Sequence, residues 1–417
     1  MPEFKSIELG HFFWRKKMKT QYKFISIVAI AAFSSMPATA VEMQEVIDAA
    51  KTKPTINLRY RYEDVSQDGV ANDAGASTLR SRFSWKSGTV SKFRVGFEAD
   101  YVSVIGSERF NSTNNGKGNF PVVADPEGFD LNQSYINYVG EMLNTTFGRQ
   151  RINLGSQRFV GGVGWRQNEQ TFDALRTHFT TESKLKVDYA YVWNVNRIFG
   201  PDDGAQPADW HGDSHLLTVT MPIAEGHSLE GFSYLLDFEN GNGLPNSSAT
   251  YGVGYKSVLG PVKLTATIAT QSDYADSPLN YDASYYLLQV DAPVGPVSLT
   301  VGYEVLGSDG GAAAFRTPLA TLHKFQGWTD KFLGTPINGI EDIYVGVKGK
   351  VGSVALAATW HELESDEGGL NYGSELDLVA TYALNRNVKL QFKFADYHEK
   401  GFATDSTKFW MSAIFNI

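Results

Sequence analysis

The sequence has no cysteine. An exported chain could use disulfides, so their absence moves the burden of stability onto packing and hydrogen bonding. Long apolar runs are also missing. The most apolar stretch, Phe24–Phe33, is about half of the ~20 residues a membrane-spanning helix requires. Basic charge is in deficit, with 37 Lys and Arg against 46 Asp and Glu. A nucleic-acid partner needs a basic face, which this balance argues against. No G-x-S-x-G elbow, H-E-x-x-H pair or G-x-x-x-x-G-K-[ST] loop occurs, so the familiar routes to hydrolysis and nucleotide chemistry have no anchor. No Pro/Ser tract or shift in composition divides the chain into domains.

What is present starts with an export signal. Lys19 and Lys23 form a basic end, Phe24–Phe33 an apolar run, and Ala38-Thr39-Ala40 a small-residue cleavage site. Residues 1–40 are therefore expected to be a signal peptide, with residues 1–17 an upstream extension before a better start at Met18. Taking away its six basic and two acidic residues leaves 31 against 44, a net charge of −13. Residues 41–54 are expected to be a short periplasmic segment with a helix over Glu45–Lys51, ended by Pro54. Residues 55–417 are expected to form one unit.

That unit alternates. In Ile56-Asn57-Leu58-Arg59-Tyr60-Arg61-Tyr62 apolar and aromatic residues interleave with polar ones. Successive side chains of a strand point to opposite faces, so such a segment has one greasy and one charged side. The same period recurs in Leu79–Trp85, Phe93–Tyr101, Leu185–Trp193, Val262–Ile268, Val297–Tyr303, Val388–Phe394 and Phe409–Ile417. Eighteen strands are expected, with sixteen as the alternative. Those at 129–139, 143–150 and 172–179 alternate poorly.

Short connections such as 88–91, 140–142 and 351–352 take turns with long ones such as 107–128, 151–171 and 307–339. Antiparallel strands with short turns at one end and long loops at the other describe an up-and-down barrel in an outer membrane. In hydrocarbon every backbone donor and acceptor must be paired within the protein, and closing the sheet achieves this. The expected fold class is thus all-β, a transmembrane antiparallel β-barrel. Its surroundings would be the lipid and lipopolysaccharide of a Gram-negative outer membrane, reached through the barrel-insertion machinery.

Arginine is concentrated early. Of fourteen beyond residue 40, eleven lie at or before Arg176. Arg59, Arg61, Arg80, Arg82 and Arg94 fall on the polar face of three consecutive strands. Arg149, Arg151, Arg158, Arg166 and Arg176 crowd one stretch, FGRQRINLGSQRFVGGVGWRQNEQTFDALR. A guanidinium is always charged and presents a planar fork of donors that fits carboxylates and phosphates. These ten are the pore-lining residues expected to favour small anionic solutes or acidic oligosaccharides. The alternative is a general diffusion porin in which the arginines pair with Glu63, Glu98 and Asp100 to brace the wall. An outer-membrane hydrolase is a third class. No catalytic residue, metal or cofactor is expected.

Two further features stand out. Leu319, Leu322, Phe325, Trp328 and Phe332 recur every three to four residues in the long 307–339 connection, a helical stripe that either constricts the lumen or caps the rim. His211 and His215 lie four apart, a zinc-ligand spacing on a helix, but Gly212 and the loop context favour a solvated loop.

Gly148-Arg149-Gln150, Gln157-Arg158-Phe159-Val160-Gly161, Trp165, Gln167 and Phe172-Asp173-Ala174-Leu175-Arg176, with the strand Asn57–Val65, resemble the alginate-export family of outer-membrane proteins. The likeness is best over 45–180. It implies an eighteen-stranded barrel that passes an anionic uronic-acid polysaccharide through an arginine-lined pore. Arg149, Arg151, Arg158 and Arg176 match the family's motif.

Overall fold

The computed structural model describes residues 43–417. The expected signal segment, 1–40, lies outside them. Helix α1 (Met43–Ala50) is followed by β1 (Thr55–Gln67), β2 (Ala74–Lys86), β3 (Phe93–Val104), β4 (Gly128–Val139), β5 (Leu143–Gln150) and β6 (Thr171–Thr180). Next come β7 (Lys186–Asn196), β8 (Asp209–Ala224), β9 (His227–Leu236), β10 (Ser248–Leu259), β11 (Val262–Asp273) and β12 (Asp282–Val294). The last six are β13 (Val297–Leu306), β14 (Ile340–Val351), β15 (Val354–Glu364), β16 (Asn371–Ala383), β17 (Val388–Glu399) and β18 (Ser406–Asn416).

Each strand pairs antiparallel with its sequence neighbours, and β1 also pairs with β18, from Asn57↔Asn416 to Gln67↔Ser406. The sheet therefore closes with eighteen strands and no free edge. Ile268, Leu288, Val253 and Ile343 on its outer face are exposed, as lipid-facing side chains are. At the closing seam Phe409, Met411 and Phe415 point outward while Trp410 and Ser412 are buried inside.

The poorly alternating strands carry irregular backbone. β3 and β4 shift register between Glu98 and Ala99, and β6 and β7 between Asp173 and Ala174. Each shift reverses the inside–outside parity of the residues beyond it. Gly148 in β5 has φ +114°, and a Cβ there would stand 2.5 Å from the Ser134 carbonyl oxygen.

The interior departs from a wet lumen. Two connections, 151–170 and 307–339, fold inward and bury apolar side chains against the wall. Phe159 packs on Phe232 at 4.9 Å and Tyr285 at 5.2 Å between ring centroids, and Phe315 on Tyr285 at 5.5 Å. The two connections also bond to each other. Gly161 N–H donates to Leu319 O at 2.8 Å, and Thr321 N–H to Gln157 O at 3.0 Å.

The expected helical stripe is not a helix. The 307–339 connection holds a two-residue hairpin pairing, Ser308–Asp309 with Ala313–Ala314, and one 3-10 turn, Leu322–Lys324. Phe325 is extended, and Gln326, Gly327 and Asp330 have φ of +50°, +87° and +64°. The spacing of the large side chains reflects different partners instead. Phe325 lies under Arg158, Trp328 beside Lys393, and Phe332 against Tyr372, Tyr397 and Phe402.

The histidine pair also departs from expectation. His211 and His215 both lie on β8, because that strand begins at Asp209, and His215 Nδ1 is 2.8 Å from the Tyr189 hydroxyl. No group of three or more metal-binding side chains occurs among the described residues.

Candidate functional site

The two inward connections divide the lumen into two cavities that share no lining residue. The ten early arginines are largely what holds the first connection in place. Arg59 Nε donates to Gln167 Oε1 at 2.9 Å, its Nη1 to Gly164 O at 3.0 Å, and its Nη2 to Arg166 O. Arg61 donates to Trp165 O at 2.5 Å, stacks 4.1 Å over the Trp165 ring, and lies 3.5 Å from Asp125. Both β1 guanidinia thus donate to 164–167, Arg59 through all three nitrogens and Arg61 through Nη2.

On β2, Arg80 donates to Asn57 Oδ1 at 2.6 Å and lies 3.9 Å from Glu169. Arg82 forks onto Asp100 at 2.7 and 2.5 Å and reaches Glu169 at 2.7 Å. Arg151 pairs with Glu98 and Glu169. One loop carboxylate, Glu169, therefore joins Arg80 and Arg82 of the wall to Arg151 of the connection itself. Burial alone would raise its pKa, but Arg82 and then Arg151 hold it down at about 2.

The remaining arginines have separate partners. Arg149 forks onto Asp173 at 2.8 and 3.0 Å, and Arg176 onto Asp188 at 2.9 and 2.6 Å. Arg158 crosses the lumen to Glu304 at 2.7 Å, Thr317 at 3.0 Å and Gln326 at 3.1 Å. Arg166 bonds Glu63 at 3.0 Å and Asp330 at 3.2 Å. Arg94 donates to Asn137 at 2.7 Å. Eight of the ten have a carboxylate oxygen within 4 Å, and Arg59 and Arg94 have none among the described residues.

The cavity at the long-loop end has a volume of about 920 Å³. Arg166, Arg197, Lys331 and Lys408 line it with a single carboxylate, Asp330. Three of these cations, Arg197, Lys331 and Lys408, were not anticipated from sequence. Among the described residues Arg197 has neutral partners, Gln206 at 3.3 Å and Pro207 O at 3.2 Å, and stacks 3.9 Å over Trp210. Burial lowers its pKa to about 10. Lys331 reaches Thr404 at 3.4 Å and stands 6.0 Å from the Tyr397 ring centre, and burial, then Lys408, lower it to about 8. The cavity nearer the short turns is about 440 Å³. It is charge-balanced, with Arg158, Lys256, Lys324 and Lys348 against Glu230, Glu304, Asp342 and Asp377.

Residues 26–401 match the family model of the Gram-negative porins. The chain belongs to that family. The porin is similar in structure to OccAB4 of Acinetobacter baumannii, at 13% identity, TM-score 0.67, over 87% of this chain and 97% of that one. It is also similar to Pseudomonas aeruginosa OccK11 (OpdR), at 13% identity and TM-score 0.65, over 87% and 95% of the two chains. A third is P. aeruginosa OpdK, whose structure was determined with vanillate, at 13% identity and TM-score 0.64, over 88% and 98%. No curated protein matches. At these identities the solved structures speak for the barrel, and family membership places the porin in the outer membrane as a channel rather than a hydrolase. An eighteen-stranded outer-membrane porin is what these findings support, not the alginate-export family specifically.

Proposed function

We propose that this porin is a passive diffusion channel for small hydrophilic solutes, with its early arginines bracing the inward loops and a preference for anions arising at the outer cavity. The carrying observation is the charge asymmetry across the partition. Four cationic side chains face the outer cavity with one carboxylate, and two of them, Arg197 and Lys331, have no carboxylate oxygen within 4 Å among the described residues, whereas the inner cavity is balanced at four against four. A low-dielectric wall sharpens such a field, and unneutralised cations choose the sign of the permeant. Guanidinia already paired with carboxylates contribute little to that choice.

The volume of the outer cavity, about 920 Å³, suits a solute of monosaccharide to disaccharide size. Gln67, Asn111, Gln170, Gln206, Asn242 and Asn246 line it beside the cations. Amides for hydroxyls and cations for a carboxylate favour acidic sugars among the small anions. Reversal potentials across planar bilayers under a salt gradient test the reading. Wild type should prefer anions, and Arg197→Ala with Lys331→Ala should move the reversal potential toward zero. Cation preference in the wild type, or an unmoved potential in the double variant, overturns it. Block by short oligouronates, absent with neutral oligosaccharides of equal length, tests the finer preference.

A further inference from the structure

The inner end of the 307–339 connection is fastened by an arrangement that solute passage does not require. Lys393 on β17 is buried, with Nζ 3.5 Å from the ring centre of Trp328, 3.8 Å from that of Trp165 and 5.1 Å from that of Trp410. Three indole faces around one amine favour its ammonium form, against the cost of its burial. That ammonium donates to His323 Nε2 at 2.8 Å. Nε2 must therefore carry no proton, which places the imidazole hydrogen on Nδ1, where it donates to Asp330 Oδ1 at 2.7 Å. The ring is neutral, and stacks 4.5 Å from Trp165. Asp330 Oδ2 is in turn held by Lys408 at 2.8 Å and Arg166 at 3.2 Å.

Every element packed against His323 contributes a charged group. These are Lys393 from β17, Lys408 from β18, Arg166 from the 151–170 connection and Asp330 from its own. Behind Trp165 lies Arg61 of β1, and Asp377 of β16 acts on Lys393. Cations outnumber the carboxylate that touches the ring.

We propose that His323 is an acid-triggered release for the loop that divides the lumen. A proton added at Nε2 makes an imidazolium whose new N–H points at the Lys393 ammonium. The bond that fastened them becomes a repulsion, Trp165 and Trp328 separate, and 322–333 withdraws so that the two cavities join. Nothing covalent changes, and one proton is taken up per loop released. Burial, then Lys393, lower the pKa of the imidazole, while Asp330 opposes them. A histidine whose folded value lies below its unfolded one supports the closed form at neutral pH. That support is withdrawn as pH falls below about 6.5. The fastening should thus hold at neutrality and fail in acid.

Single-channel conductance of the reconstituted porin, read from about pH 7 to about pH 4, tests this. Wild type should show a severalfold rise on acidification. His323→Gln offers an acceptor to Lys393 and a donor to Asp330 but cannot take the proton. It should conduct like wild type at neutrality and stay there in acid. Wild-type conductance that is flat with pH, or an acid rise retained in His323→Gln, overturns the proposal. Should the variant fail to insert, the wild type decides alone. Its tryptophan emission must shift red over the same pH interval as the conductance rise, and a change in either without the other overturns the proposal equally.

Discussion

Arg82→Ala should cost far more than the loss of a surface charge. The guanidinium makes two bonds to Asp100, at 2.7 and 2.5 Å, and one to Glu169, at 2.7 Å. The three side chains are 10%, 2% and 8% exposed, so water replaces little of what is lost. Truncation leaves Glu98 and Glu169 to Arg151, with Arg80 3.9 Å from Glu169, and takes from Asp100 its ion-pair partner. Breaking a buried pair from one side costs about 3–5 kcal/mol, because the surviving charge stays buried. The variant should unfold at lower denaturant by that amount in detergent or phospholipid, followed by the gel mobility of folded and unfolded forms. A loss below about 1 kcal/mol, the scale of an exposed pair, would refute the bracing role.

The same cluster predicts an acid limb. The Glu169 carboxyl, at about 2 when folded, has an ordinary value of 4.5. A depressed folded value contributes stability that is present above the unfolded pKa and lost as pH falls toward the folded one. Here the window runs from 4.5 down to about 2, and the contribution is roughly 3 kcal/mol at 1.36 kcal/mol per unit. Glu169→Gln should flatten that limb. Arg82→Ala should move its lower end upward, since the cation that contributes most to the lowering is gone. The double variant should cost less than the sum of the singles, because the two share one interaction.

Deleting 312–333 should raise conductance severalfold, since that segment forms much of the partition; unchanged conductance would return it to the role of a rim cap. Gly327→Ala should loosen the tip of the same loop. Gly327 has φ +87°, and a Cβ would lie 2.3 Å from the Glu375 carboxyl. Together these cost roughly 1–3 kcal/mol, to be read as frequent transitions to a larger conductance in single-channel records. A quiet channel identical to wild type would show that the tip has room to adjust.

The barrel was legible because hydrocarbon enforces a period of two on any lipid-facing strand, and the long–short rhythm of connections supplies the topology. Strands β4 and β5 were harder to read for a local reason: a bulge at Asn132 and the backbone of Gly148 break the parity of their faces, while β6 faces a bulge at Trp193 of β7. The arginines were found but their partners were not. Charge on a strand's inner face reads the same whether it meets water or a loop carboxylate. Glu169 sits in the sequence Gln167-Asn168-Glu169-Gln170, with nothing to mark it as the point where three arginines converge. Nor could a three-to-four-residue apolar spacing be told from a helix without the left-handed turns at Gln326, Gly327 and Asp330.

The early concentration of arginine follows from where the first inward loop lies. Residues 151–170 leave from β5 and return to β6, and they rest on β1 to β3. A loop held against a polar wall needs partners for its backbone carbonyls as well as for its charges. Lysine offers a compact ammonium, whereas a guanidinium can bond a carboxylate on one edge and carbonyls on another. Arg59 and Arg61 satisfy Gly164, Trp165 and Arg166 carbonyls, and Arg149 bonds Asp173 and Leu131 O together. The second inward loop rests on the later strands and is held differently. Glu375 accepts from Thr329 N–H and its hydroxyl, at 2.7 and 2.5 Å, and Glu304 accepts from Gln326. There the wall supplies both kinds of partner, since Lys393 and Lys408 also donate to His323 and Asp330, and none of these wall partners on β14 to β18 is an arginine. The early concentration of arginine thus goes with a loop fastened largely through its carbonyls and Glu169, whereas the second loop is held by wall carboxylates together with Lys393 and Lys408.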